Sequence, residues 1–129
     1  SLFFKVNNAV FFSFFFIILD AYGFNLLTLK FKTIVQKTYY KTKDYCKVKF
    51  SFTVENAETI EILGLNSDWE NAVIMSKKKD GTFATEVSLP KNSTHEFKYR
   101  VNASEWINEP EADAQQPNVF GGINSVIIL

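Results

Sequence analysis

The sequence predicts an all-β fold, an antiparallel two-sheet sandwich of about six or seven short strands. Three observations predict it. Beyond residue 45, apolar and polar residues alternate with period two through most of the chain. Clusters of Asn, Asp, Ser, Gly and Pro interrupt the alternation at regular spacing. No segment carries a convincing helical period.

The first strand is the clearest. Val48, Phe50, Phe52 and Val54 alternate with Lys47, Lys49, Ser51 and Thr53, the pattern of a half-buried strand. Asn56-Ala57-Glu58 turns the chain, Thr59 to Leu63 follows with Ile60 and Ile62 on one face, and Gly64 ends it. Asn66-Ser67-Asp68 is loop chemistry, and Ala72 to Ser76 reads as a short strand. Asp80-Gly81 is the strongest hairpin signal in the chain. Phe83, Thr85, Val87 and Leu89 then alternate with Ala84, Glu86 and Ser88 until Pro90. His95, Phe97, Tyr99 and Val101 form the next inward row, with Glu96, Lys98 and Arg100 on the other side. Glu105-Trp106-Ile107 is a short strand or extended corner. Residues 108–122 read as an irregular Ω-like loop, and Ser125 to Leu129 as the last strand. Residues 36–45, basic and aromatic, either prolong the first strand or form an ordered arm.

Composition bounds the function. A chain of 129 residues is about one domain long. Its 14 basic and 14 acidic side chains cancel, so no basic field attracts phosphate backbones and nucleic acid is not an expected partner. Cys46 is alone, which excludes an internal disulfide, and reads as a small hydrophobe in a strand. His95 has no second histidine to join it as a ligand, so no metal or other cofactor is expected.

Residues 1–35 differ from the rest and are expected to be a hydrophobic leader outside the fold, which then occupies 36–129. Ala9 to Leu19 is apolar but too short to cross a bilayer alone; extension to Leu29 takes in Asp20, Gly23 and Asn25. Three explanations stay open: a membrane segment, a secretory signal cleaved near Ala21-Tyr22-Gly23, or translated sequence upstream of a true start. Localisation follows from this choice: cytoplasmic if the leader is not native, otherwise exported or membrane-anchored.

The last third carries the functional signal. The chain's only two tryptophans, Trp69 and Trp106, lie beside turn-forming residues rather than inside apolar runs. An indole at a strand tip is a flat apolar surface on which a sugar ring can stack. Lys98 lies on the polar face of its strand, and Pro117, Asn118, Phe120, Gly121, Gly122, Asn124, Ser125 and Val126 form a distinctive ending.

The order of these features resembles carbohydrate-binding module family 48, the isoamylase early-set or glycogen-binding domain, in its small stand-alone bacterial form. The resemblance runs from about Lys37 to Leu129. It is carried by Tyr40-Lys41-Thr42-Lys43, Cys46 to Phe50, Gly64 with Trp69, Asp80 to Phe83, Glu96 to Val101, Trp106 to Glu109, Glu111 to Asp113, and Pro117 to Val126. It implies an immunoglobulin-like early-set sandwich that binds α-glucan (glycogen, starch or maltooligosaccharide) without catalysis. It further implies Trp69 and Trp106 as the stacking pair, Lys98 as the contacting lysine, Phe120 as the apolar residue of the last loop and Asn124 as its asparagine. Three positions depart from the pattern: Asn66-Ser67 ahead of Trp69, one extra residue between Lys98 and Trp106, and Gly122 in place of a threonine.

Each candidate has a plainer reading. Either tryptophan could plug the end of the sandwich, and Lys98 could be a solvated lysine beside Glu96. Asn124 could simply cap a turn. Phe120 reads slightly better as a plug pinning the long loop than as a platform. Glu109, Glu111 and Asp113 read as a solvated loop segment rather than the opposed carboxylates of a glycosidase, and one His with one Cys assembles no nucleophilic constellation. Asn92-Ser93-Thr94 and Asn102-Ala103-Ser104 match the glycosylation sequon, which matters only in a eukaryotic secretory setting. The rival to sugar recognition is a protein–protein module of the same fold, associating with a glycan-active enzyme or itself through strand edges at Thr59 to Leu63 or Ser125 to Leu129.

Overall fold

The structure, a computed structural model, describes the backbone of residues 2–6, 9–20 and 23–129 and the side chains from Lys30 onward. The described residues form strands β1 (Leu2–Val6), β2 (Ala9–Asp20), β3 (Gly23–Tyr39), β4 (Tyr45–Val54), β5 (Ile60–Leu63) and β6 (Val73–Ile74). They continue with β7 (Ser76–Lys77), β8 (Thr82–Pro90), β9 (Thr94–Val101), β10 (Glu105–Ile107), β11 (Ala114–Pro117) and β12 (Ile123–Ile128). One short 3-10 turn spans Leu65–Ser67. Part of the cleavage-like Ala21-Tyr22-Gly23 lies outside the described residues. Among the described residues no helix is long and apolar enough to cross a membrane.

The fold is an all-β, immunoglobulin-like sandwich of two antiparallel sheets. One runs β1-β2-β3-β4-β8-β7, the other β11-β12-β9-β5-β6, with β10 on the second half of β9. Alternation dictates the layers, because successive side chains of a strand point to opposite faces. On β4, Cys46, Val48, Phe50, Phe52 and Val54 are buried while Lys47, Lys49, Ser51 and Thr53 stay partly accessible. On β9, His95, Phe97, Tyr99 and Val101 form the facing buried row. The rows meet edge to face: the Tyr99 ring centroid lies 4.9 Å from Phe52, and Phe97 lies 5.5 Å from Phe50. Such pairs add about 0.5–1.5 kcal/mol each to the area they bury.

The turn at Asp80-Gly81 forms as its dipeptide requires, with Gly81 at φ 88° and its N–H donating to the Lys78 carbonyl. Elsewhere long-range pairing decides. The segment at Ala72 to Ser76 splits at buried Met75, so that β6 joins β5 in one sheet and β7 joins β8 in the other. Residues 36–39 do not prolong the Val48 strand: they end β3, a separate strand that residues 40–44 connect to β4, and β3 pairs antiparallel along β4 from Phe31↔Val54 to Tyr39↔Cys46. The sandwich therefore takes in residues 31–35, which the sequence reading assigned to the leader. Phe31 is 2% exposed and stacks on Phe52 at 5.3 Å.

Two further expectations are corrected. Residues 114–117, expected to be irregular, pair with β12 from Ala114↔Val126 to Pro117↔Ile123. Their exposed, all-polar-or-small sequence carries no period, so only the partner strand defines them. Neither strand named as an open edge is one: β5 lies between β9 and β6, and β12 between β9 and β11.

Candidate carbohydrate-binding groove

Because the inner row of β9 is sealed into the core, its even-numbered neighbours Thr94, Glu96 and Lys98 face outward. The register sets Val126 of β12 opposite Glu96, Ser125 opposite Phe97, and Trp106 of β10 opposite Arg100. Asn124 and Trp106 thus stand on the same outer face as Lys98. Two loops rise beside that face, one carrying Trp69 and the other Phe120. Together they enclose an open groove of about 920 Å³, and Trp69, Lys98, Trp106, Phe120 and Asn124 all line it.

Trp69 is held by the turn before it. Gly64 at φ 106° donates its N–H to the Asp68 carbonyl. A β-carbon at Gly64 would sit 2.6 Å from the Trp69 ring and 2.5 Å from the Glu96 carbonyl oxygen, so the indole edge lies directly over bare backbone. The Asp68 carboxylate then accepts the N–H groups of Glu70 and Asn71 and the Asn71 amide, which holds its pKa below the ordinary carboxylate value. Trp106 stands instead on a regular strand, with the Arg100 guanidinium 5.3 Å from its ring centroid. Arg100 is itself fixed by two bonds to the Glu61 carboxylate. Neither indole plugs the sandwich: Trp69 is 39% and Trp106 42% exposed.

Lys98 is half-buried, and its ammonium donates to the Ile123 carbonyl at 3.1 Å. Burial lowers its pKa without any acidic partner. Two of its three N–H bonds remain for a ligand. Asn124 is buried and doubly engaged, donating to Glu96 Oε1 at 3.2 Å and accepting from the Asn118 amide at 3.0 Å. Phe120 corrects the plug reading: it is 92% exposed at the tip of its loop, beside equally exposed Val119.

Sequence reasoning passed over Asn118 and Glu96. Asn118 Oδ1 accepts the N–H groups of Phe120 and Gly122, both at 3.0 Å, so this side chain builds the loop that projects Phe120. Its signal was available, since an asparagine ahead of a Gly-Gly pair is turn chemistry. Glu96 shares the outward face with Lys98 and couples the groove floor to Asn124.

The solvated reading of the acidic triplet fails at Glu109, while Glu111 and Asp113 are exposed as expected. Glu109 is not solvated: it is 1% exposed, and its carboxylate accepts from the Thr33 hydroxyl at 2.6 Å, the Tyr99 hydroxyl at 2.9 Å and the Glu111 N–H at 3.0 Å. Burial raises its pKa, partly opposed by those three donors, and pushes the Tyr99 phenol well above its ordinary value. Asp113 forms an ion pair with Lys37 at 2.6 Å and accepts the Ile128 N–H. These carboxylates do not face each other across a cleft; they clamp the β10–β12 segment, and with it the groove wall, onto β3 and β9. Among the described residues no cluster of His, Cys, Asp or Glu could hold a metal ion. No protein-family model matches this chain, and no curated protein matches it.

Proposed function

We propose that this chain is a non-catalytic α-glucan-binding module that recognises glycogen, starch or maltooligosaccharide, as its resemblance to carbohydrate-binding module family 48 implies. The observation that carries the reading is the placement of two half-exposed indoles and a half-buried lysine along one open groove. Indoles offer rigid apolar area to the flat faces of glucose rings at little entropic cost. Lys98 and Asn124 supply donors and acceptors for the hydroxyls at the ring edges. The groove is open, which suits a polymer, and the few charges at it imply weak binding, with Kd between roughly 10 μM and 1 mM.

The test is a tryptophan-fluorescence titration of the full chain with maltoheptaose, alongside Trp106→Ala. A saturable change lost in the variant supports the reading and locates its platform. A flat titration to several millimolar sinks it. The partner-binding reading then takes over, favoured by the exposed Val119-Phe120 tip, and a glycan-active enzyme or a second copy would be sought as the partner.

A further inference from the structure

His95 is the chain's only histidine and occupies the N-terminal end of the buried β9 row, 8% exposed. Its hydrogen bonds define its protonation. The Ser93 hydroxyl donates its single proton to the Pro90 carbonyl, so it accepts from His95 Nε2 at 2.8 Å. His95 Nδ1 is then the unprotonated nitrogen, and it accepts the backbone N–H of Asn66 at 3.2 Å. An imidazolium would present an N–H to that N–H, replacing attraction by repulsion. The bond therefore exists only with neutral histidine.

Asn66 sits in the turn that carries Trp69. Asn66 and Ser67 hold φ of 57° and 60°, a left-handed conformation costly for residues with a β-carbon and kept only where surroundings enforce it. The Gly64–Asp68 bond closes this turn from within, whereas the His95 bond ties it to the sandwich. Charged groups on adjoining elements are engaged elsewhere. The Asp68 carboxylate faces the Glu70 and Asn71 amides, Lys91 the Tyr40 carbonyl, and Glu96 Asn124 on the opposite face of β9. On β12 the residue opposite His95 is Ile127. Among the described residues no ion pair involves His95, and burial holds its pKa below the ordinary 6.5.

We propose that His95 is a positioning residue for Trp69, a latch that holds the Trp69 turn in place while the imidazole is neutral and releases it on protonation. The sign is fixed by the geometry. A base whose folded pKa is depressed contributes stability above its unfolded pKa, and that contribution fades as pH falls below about 6.5 and through the lower folded value. The turn is held at neutral pH and loosened in acid. Only the consequence for sugar binding rests on the glucan reading.

The experiment uses the full chain with Trp106→Phe, which leaves Trp69 as the sole indole. Proton NMR from pH 8 to 4 follows the single imidazole, the Trp69 indole and the shifted aromatic resonances of the core, with His95→Asn alongside. That substitution keeps an acceptor near the Nδ1 position but does not titrate. The expected result is a Trp69 transition sharing the imidazole midpoint, below pH 6.5, with core resonances unchanged and the transition absent from His95→Asn. A constant Trp69 signal while the imidazole titrates overturns the latch; so does a midpoint shared with global unfolding, or the same transition persisting in His95→Asn. Should that variant fail to fold, the first two comparisons in the Trp106→Phe chain decide alone. In the otherwise native chain, maltoheptaose affinity should fall about fivefold or more across the same midpoint. A flat sugar titration at both ends with intact imidazole–Trp69 coupling removes the glucan reading and leaves the latch standing.

Discussion

The two faces of β9 do opposite work with interleaved residues. Inward, Phe97, Tyr99 and Val101 are almost fully buried among Phe50, Phe52 and their neighbours. Outward, Glu96 and Lys98 form the floor of a groove walled by Trp69 and Phe120. The inner face is fixed by packing, where every methylene is felt. The outer face is fixed by discrete polar contacts that hold exposed rings in place: hydrogen bonds through Asp68 and His95 behind Trp69 and through Asn118 behind Phe120, and a cation–π contact of Arg100 with Trp106. One strand can therefore carry stability on one side and recognition on the other with little interference, because the period of two separates them.

That separation can be broken most severely from within. Phe97→Ala should destabilise the sandwich by about 3–5 kcal/mol in urea unfolding, since the vacated volume lies between two rings that cannot both collapse into it. If it still folds, groove residues should keep their affinities. A loss of sugar binding without loss of stability would contradict the division of labour.

Glu109 tests whether the faces are coupled through the segment that follows β10. Glu109→Ala removes the acceptor of the Thr33 and Tyr99 hydroxyls and should cost about 1–3 kcal/mol by the same unfolding assay. Its pH signature has the opposite sign to that of His95. An acid with a raised folded pKa stabilises fully below its unfolded value and loses that contribution as pH rises through the raised one. Glu109→Gln, which cannot ionise, should flatten this part of the stability–pH curve.

The outer face should show the reverse pattern. Trp106→Ala should weaken maltoheptaose binding by more than about 1 kcal/mol, over fivefold, while shifting stability by less than about 1 kcal/mol, the worth of its contact with Arg100. Smallest of all, Phe120→Ala should leave the unfolding midpoint unchanged within about 0.5 kcal/mol, because a ring 92% exposed packs on nothing it could lose. A measurable loss of stability there would restore the plug reading that its exposure contradicts.

What the sequence alone determined is what depends on neighbours along the chain. Alternation assigned the inner and outer rows of β4, β8 and β9, and Asp80-Gly81 placed a hairpin, because side-chain direction and turn conformation are local properties. The same alternation put Lys98 outward, while the turn residues beside Trp69 and Trp106 pointed to exposure without excluding a plug at the end of the sandwich. Only the tertiary structure decided the rest. Residues 114–117 became a strand because β12 offers them hydrogen bonds, not because their sequence favours extension. Phe31 and Thr33 entered the sheet through β4 and through a bond to Glu109 across 76 positions of sequence. Glu109 itself, polar and among other acids, reads as solvated until three distant donors are folded around it. Periodicity tells a residue which way to face, but whether a polar group in an aperiodic segment is wet or buried is decided by partners that chain closure alone brings within reach.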